Sequence, residues 1–266
     1  MNRRVVYHLC LVAVVGLFLP APTPAQQPSG DTPAKKAPDL AQVAALVTEQ
    51  TNRFRAENRL APVQENASLT AAARQFAEFM AETTKYGHRA DGRQTADRTA
   101  EHGYEHCLVL ENIAYRFRQS GFTTEELATG FVDGWKDSPS HRQAMLDPDV
   151  RETGVAVARS STNSYFYAVQ VFGRPKPMQI AFQVYNASSS TIQYTISCAD
   201  GDKAMTVPPR ATATHVRCRN AKVIFPASNQ AAALEPIEGY YLIHIDAAGR
   251  LGLQRKAGRP AGTEDL

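Results

Sequence analysis

Residues 124–172 read TEELATGFVDGWKDSPSHRQAMLDPDVRETGVAVARSSTNSYFYAVQVF, and the hydrophobic period changes in the middle of that stretch. Leu127, Phe131 and Trp135 recur at four-residue spacing, which predicts a helix over about 124–136. Glu125 and Glu126 fall in its first turn, where they complement the helix dipole. Ser138-Pro139 reads as an N-cap and first-turn proline opening a short helix that carries His141 and Met145. Beyond it the period is two. GVAVA (154–158) and YFYAVQVF (165–172) alternate on either side of the turn-rich RSSTNS, the pattern of a β-hairpin.

Upstream the period is helical. Leu40, Val43, Leu46, Val47 and Phe54 lie on one stripe, and a second helix is expected over about 68–84 with Leu69, Ala72, Phe76, Ala77 and Met80 inward. Helices first and strands last, within about 135 residues, make an α+β domain. Arg174-Pro175-Lys176-Pro177 marks its end. After it, QIAFQVYN (179–186), TIQYTISC (191–198), ATATHVRC (211–218), KVIFP (222–226) and YYLIHID (240–246) are short strands divided by Ser, Gly, Pro and Asn clusters. That spacing suits a small antiparallel sandwich or barrel of about 85 residues. The expected organisation is an α+β domain over 39–174, a β-rich domain over 177–258 and a tail over 259–266.

A length of 266 residues agrees with about two domains, and 43% hydrophobic with 21% charged residues excludes a mainly disordered, collagen-like or coiled-coil chain. Residues 1–25 read as an export signal: Arg3 and Arg4, an apolar run from Val5 to Leu19, then PAPTPA with cleavage expected after Ala25. An uncleaved N-terminal anchor is the alternative, although the run is short of the roughly 20 residues of a membrane span. QQPSGDTPAKKAP (26–38) is expected to be a flexible linker. No later stretch reads as transmembrane. The formal charge of +3 becomes +1 once Arg3 and Arg4 are removed, which gives no basis for a nucleic-acid partner. The expected location is secreted or periplasmic, where disulfides persist. Cys198 and Cys218 end two alternating runs, so a bridge between them is expected, with two reduced thiols as the alternative. Cys107 is then left as a buried free thiol or an intermolecular partner.

Three residues stand out for chemistry. His88 lies in YGHR beyond the second helix, Glu111 in LENIAY, and His141 in SPSHR at a helix start. Two imidazoles and a carboxylate are a zinc-type ligand set that leaves a position open for water. The gaps of 23 and 30 residues carry no local motif. The same residues also read as a structural hydrogen-bonded group, with Glu111 neutralising the histidines. His102 and His106, four apart around Gly103, read as surface histidines on a turn.

Taken together, LVTEQTNRFRAENRLAPV (46–63), LTAAARQFAEFMAE (69–82), GH (87–88), ENIA (111–114), GWKDSPSHRQAML (134–146), ETGVAVA (152–158) and YFYAVQVFG (165–173) occur in one order. That ordered set closely resembles the bacterial branch of the CAP superfamily, the cysteine-rich secretory, antigen-five and pathogenesis-related group, over about 39–173. The resemblance implies an α-β-α sandwich with a central cleft that in many members holds two His and two Glu, a divalent-metal site in some. It places His88 and His141 at the two family histidines and Glu111 at the acidic residue of the Gly-Glu-Asn motif. Two departures follow: Leu110 replaces the Gly of that motif, and Ser138 stands where eukaryotic members place the second Glu. What remains is an open three-ligand set of His88, Glu111 and His141, for a divalent metal with zinc favoured. Ser138, Asn112 and Tyr115 complete the expected cleft. Asn112 is expected to fix loop backbone, Trp135 to sit in the core, and Arg142 to pair with a carboxylate such as Glu111 or to face solvent.

The functional expectation is a binding module whose cleft takes an apolar small molecule, a cell-wall component or a protein partner. The alternatives are a metal-dependent hydrolase using His88, Glu111 and His141, and a structural extracellular domain with a vestigial cleft. No nucleophile-elbow serine or Cys-His pattern is present, and no catalytic residue is assigned.

Overall fold

Asp39 caps helix α1 (Leu40–Glu57), its carboxylate accepting from the Ala41 and Gln42 amides. Val43 and Val47 are fully buried on its inner face, as the spacing requires. α2 (Ala67–Thr83) is capped by Asn66 and ends at Thr84, whose left-handed φ of 58° turns the chain away. α3 (Thr95–Glu101) follows. α4 (Thr124–Asp137) opens on a reciprocal capping box between Thr123 and Glu126, and α5 (Pro139–Met145) opens on its proline. The computed structural model describes residues 36–226, 229–235, 239–258 and 260, which belong to one compact unit. The expected signal over 1–25, most of the expected linker and all of the expected tail except Pro260 lie outside the described residues.

Strands β1 (Gln64–Glu65), β2 (His106–Arg116), β3 (Glu152–Arg159) and β4 (Phe166–Pro175) form one sheet in the order β1-β3-β4-β2. All of its pairs are antiparallel except β1 with β3. Alternation sorts the side chains of the hairpin onto two faces. Val155, Phe166, Ala168 and Phe172 enter the core with α1, α4 and α5, while Ala156, Tyr167, Val169 and Val171 pack with α2. With helices on both faces the sheet is the centre of an α-β-α sandwich, and β2 is its open edge. α3 and β2 went unread in the sequence. TADRTAE has no apolar stripe, and HCLVLENIAYR has no clean alternation because it is buried on both sides at one end.

The C-terminal region comprises β5 (Ile180–Asn186), β6 (Ile192–Cys198), β7 (Gly201–Val207), β8 (Thr212–Arg217), β9 (Ala221–Phe225), β10 (Gln230–Leu234), β11 (Tyr240–Ile245) and β12 (Leu251–Lys256). Two four-stranded sheets, β10-β9-β6-β7 and β12-β11-β5-β8, enclose one core built from Phe182, Val184 and Ile243 on one side and Tyr194, Ile196 and Val223 on the other. The result is a sandwich and not a barrel. It is antiparallel except for the β11–β5 pair, which is parallel. The strands absent from the sequence reading, β7, β10 and β12, are all sheet edges, where little apolar alternation is needed.

The expected cysteine pairing is corrected. Cys107 is bonded to Cys218, and Cys198 is free. Cys198 ends β6 while Cys218 follows β8, and these strands belong to opposite sheets, so strands successive in sequence do not bring the two thiols together. Cys107 sits at a register shift in β2 between His106 and Leu108, and a bulge of this kind re-aims a side chain. Ion pairs tie the same two regions. Arg174, fully buried, donates to Asp149 at 3.0 Å and to Asn220 at 3.2 Å, and Arg219 reaches Asp147 at 2.6 Å.

Candidate functional site

β2 carries the centre of the site. Ile113 packs with α2 and Ala114 with the opposite helix layer. By alternation Glu111 belongs to the α2 face and Asn112 to the other. His88 arrives from the segment after α2 and His141 from the first turn of α5. Their ring centroids lie 6.4 Å apart. The structure therefore brings His88, Glu111 and His141 into one place from three distant segments.

Their bonding differs from the expected ligand set. His88 Nδ1 is 2.9 Å from Glu111 Oε1, and Arg98 of α3 donates to Glu111 Oε2 at 2.7 Å. The Glu111 side chain is 2% exposed and that of Arg98 is 1%, against 52% for His88. Both carboxylate oxygens are thus engaged, and Glu111 orients His88 in the way a carboxylate orients a ligating imidazole from behind. Two imidazoles remain, fewer than the three protein ligands of an open zinc site. Among the described residues no group of three His, Cys, Asp or Glu is placed to hold a metal. The three residues do not fit as a three-ligand metal set.

Burial, reinforced by the neighbouring His88, holds the His141 imidazole below its ordinary pKa and favours its neutral form. Asn112 is fully buried and donates to the His141 carbonyl at 3.1 Å, so it anchors the start of α5, while its Oδ1 has no partner among the described residues. Ser138 makes no capping bond, and its hydroxyl lies 3.5 Å from that of Ser140. Arg142 donates to the Lys136 carbonyl; the cation on Glu111 is Arg98. Trp135 is a core residue, 1% exposed. His102 ends α3 and contacts Gln75, while His106 begins β2.

At the open edge of β2 the Ile113 carbonyl accepts from the Tyr86 hydroxyl and the Trp135 indole, each at 3.1 Å. A pocket of about 350 Å³ lies there, with Tyr86, Tyr115, Arg116, Trp135, Ser138 and His141 in its wall. Aromatic rings continue outward from it. Tyr86 meets Tyr115 edge-on at 4.9 Å, Tyr115 lies parallel to Tyr165 at 5.5 Å, and Phe117 meets Tyr165 at 5.1 Å. Of the four large hydrophobic side chains most exposed among the described residues, three (Tyr86, Tyr115 and Phe117) belong to this strip. Burial raises the Tyr86 hydroxyl above its ordinary pKa, so it remains a donor. Arg98, Tyr86 and Tyr165 were missed in the sequence. For Arg98 the available signal was a basic residue within a helix that has no apolar face of its own.

Residues 48–172 match the cysteine-rich secretory protein family, CAP. No curated protein sequence matches the chain. Similar solved structures include an outer surface protein from Borrelia burgdorferi, at 20% identity and TM-score 0.46, covering 52% of this chain and 96% of that one. An extracellular SCP-domain protein from Bacillus anthracis is 19% identical with TM-score 0.43, over 51% of this chain and 41% of that one. A cysteine-rich secretory protein from Staphylococcus aureus is 19% identical with TM-score 0.39, over 51% of this chain and 40% of that one.

Proposed function

Residues 48–172 are a domain of the cysteine-rich secretory protein (CAP) family, and from that premise we propose that the chain is an extracytoplasmic binding module whose cleft takes a cell-wall component. The observation that carries this reading is the aromatic strip of Tyr86, Tyr115, Phe117 and Tyr165 leading out of the pocket beside His141. An exposed apolar patch with a polar rim marks an interaction site. Tyrosine rings present flat apolar faces with hydroxyl tips, and a saccharide ring has the matching chemistry, apolar on its faces and polar at its edge. An apolar small molecule would want a more uniformly apolar wall than one containing Arg116, Ser138 and His141. The Cys107–Cys218 bridge supports an oxidising compartment. Among the described residues no helix is long and apolar enough to cross a membrane. Nothing in the bonding of Glu111 favours the metal-dependent hydrolase.

Co-sedimentation with insoluble peptidoglycan tests the proposal. The protein pellets with the wall material, and Tyr115→Ala combined with Tyr165→Ala lowers the bound fraction roughly tenfold, as losing one or two stacking contacts of about 1 kcal/mol each would do. Equal pelleting of the double variant, or preferential partition of the native chain into lipid vesicles, rejects it.

A further inference from the structure

Arg98, 1% exposed, is held on several sides behind Glu111. One guanidinium nitrogen donates to Glu111 Oε2 at 2.7 Å, to the His88 carbonyl at 3.2 Å and to the Thr95 hydroxyl at 3.3 Å. The other terminal nitrogen donates to Asp91 Oδ1 at 3.0 Å and to the Arg93 carbonyl at 3.2 Å. The guanidinium carbon sits 3.6 Å above the centre of the Phe76 ring. A planar fork held on these sides has one position, unlike a lysine ammonium on a flexible stem. Because the fork only donates, it keeps Glu111 Oε2 as an acceptor and neutralises the carboxylate inside the wall. Glu111 Oε1 is then also an acceptor, and the His88 Nδ1 facing it at 2.9 Å must carry the proton. In a neutral ring Nε2 is then the unprotonated nitrogen, and it makes no hydrogen bond to the described residues.

We propose that Arg98 is a positioning residue that does in this cleft what a divalent ion would do: it neutralises Glu111 and, through it, fixes His88 as the Nδ1–H tautomer with Nε2 open as an acceptor. The His88 and His141 imidazoles, 6.4 Å apart, are thereby offered to a hydrogen-bonding ligand without a metal. The inference rests on the wall's own side chains and is separate from the choice of ligand.

Nitrogen NMR of the imidazoles reads the arrangement directly, at about pH 8, above the ordinary histidine pKa of about 6.5. In the chelator-treated native chain His88 shows the Nδ1–H signature, and one equivalent of zinc leaves the His88 and His141 signals where they were. Glu111→Gln is the diagnostic variant. Its amide has one oxygen and one NH2; Arg98 can only donate, so the oxygen faces Arg98 and the NH2 faces His88 Nδ1. His88 Nδ1 then has to accept, and the tautomer inverts to Nε2–H. Persistence of Nδ1–H in Glu111→Gln overturns the role of Arg98. Saturation of the native chain by one equivalent of zinc, with both histidine signals moving together, overturns the metal-free site. If Glu111→Gln does not fold, the native chelation and zinc titration still decide.

Discussion

His215 is 8% exposed in the C-terminal core, with Nε2 2.7 Å from the Tyr194 hydroxyl. Burial, with Arg217 and Lys203 adding repulsion, pushes its pKa down to about 4. The folded value lies below the unfolded one of about 6.5, so the unfolded chain binds the proton first. The stability this residue contributes is present above about pH 6.5 and is lost as pH falls towards 4, up to about 3 kcal/mol. Denaturant midpoints measured from pH 7 down to pH 4 should fall accordingly, and His215→Gln, which does not titrate, should flatten that slope. At the cleft the same scale explains what was legible. His88, Glu111 and His141 drew attention because their chemistry is written in their residue type. Arg98 was not legible, because its importance lies in five hydrogen bonds to groups 3–13 positions away along a bent chain.

Elements pack where small residues let them. A Cβ at Gly154 of β3 would lie 2.1 Å from the Thr70 amide nitrogen and 2.2 Å from the Leu69 carbonyl carbon, both backbone atoms of α2. Neither can yield as a flexible side chain would, so Gly154→Ala forces α2 off the sheet. Overpacking of this kind costs about 1–3 kcal/mol or more. Thermal denaturation should show the loss, whereas the same substitution at Gly130, where the nearest atom is 3.6 Å away on the Arg116 side chain, should be close to neutral. The α1, α2, α4 and α5 helices were readable from their one-sided apolar stripes and caps, and the β3–β4 hairpin from two apolar runs on either side of a turn-rich loop, although both of its faces are buried. α3, β2 and the edge strands were not, since α3 is held by ion pairs and the edges by their neighbours' backbones.

At the scale of the whole molecule, the Cys107–Cys218 bridge closes a separation of 111 residues and joins the helical layer's sheet to the C-terminal sandwich. Removing it by Cys107→Ser with Cys218→Ser should cost about 2–5 kcal/mol, and Cys198→Ser should change stability by less than about 0.5 kcal/mol. Chemical denaturation of the two variants distinguishes this pairing from the Cys198–Cys218 one. The buried Arg174 and Arg219, shared between Asp147, Asp149 and Asn220, make the same junction by ion pairing. By itself the sequence determined the α+β class, the helix stripes, the hairpin and the CAP resemblance, and it singled out His88, Glu111 and His141, because period, residue type and the order of motifs can be read along the chain. Only the tertiary structure decided the cysteine pairing, the parallel β11–β5 contact and the engagement of Glu111 by Arg98. Those depend on which distant segments become neighbours, and strand order and bulge geometry set that without leaving a local period to read.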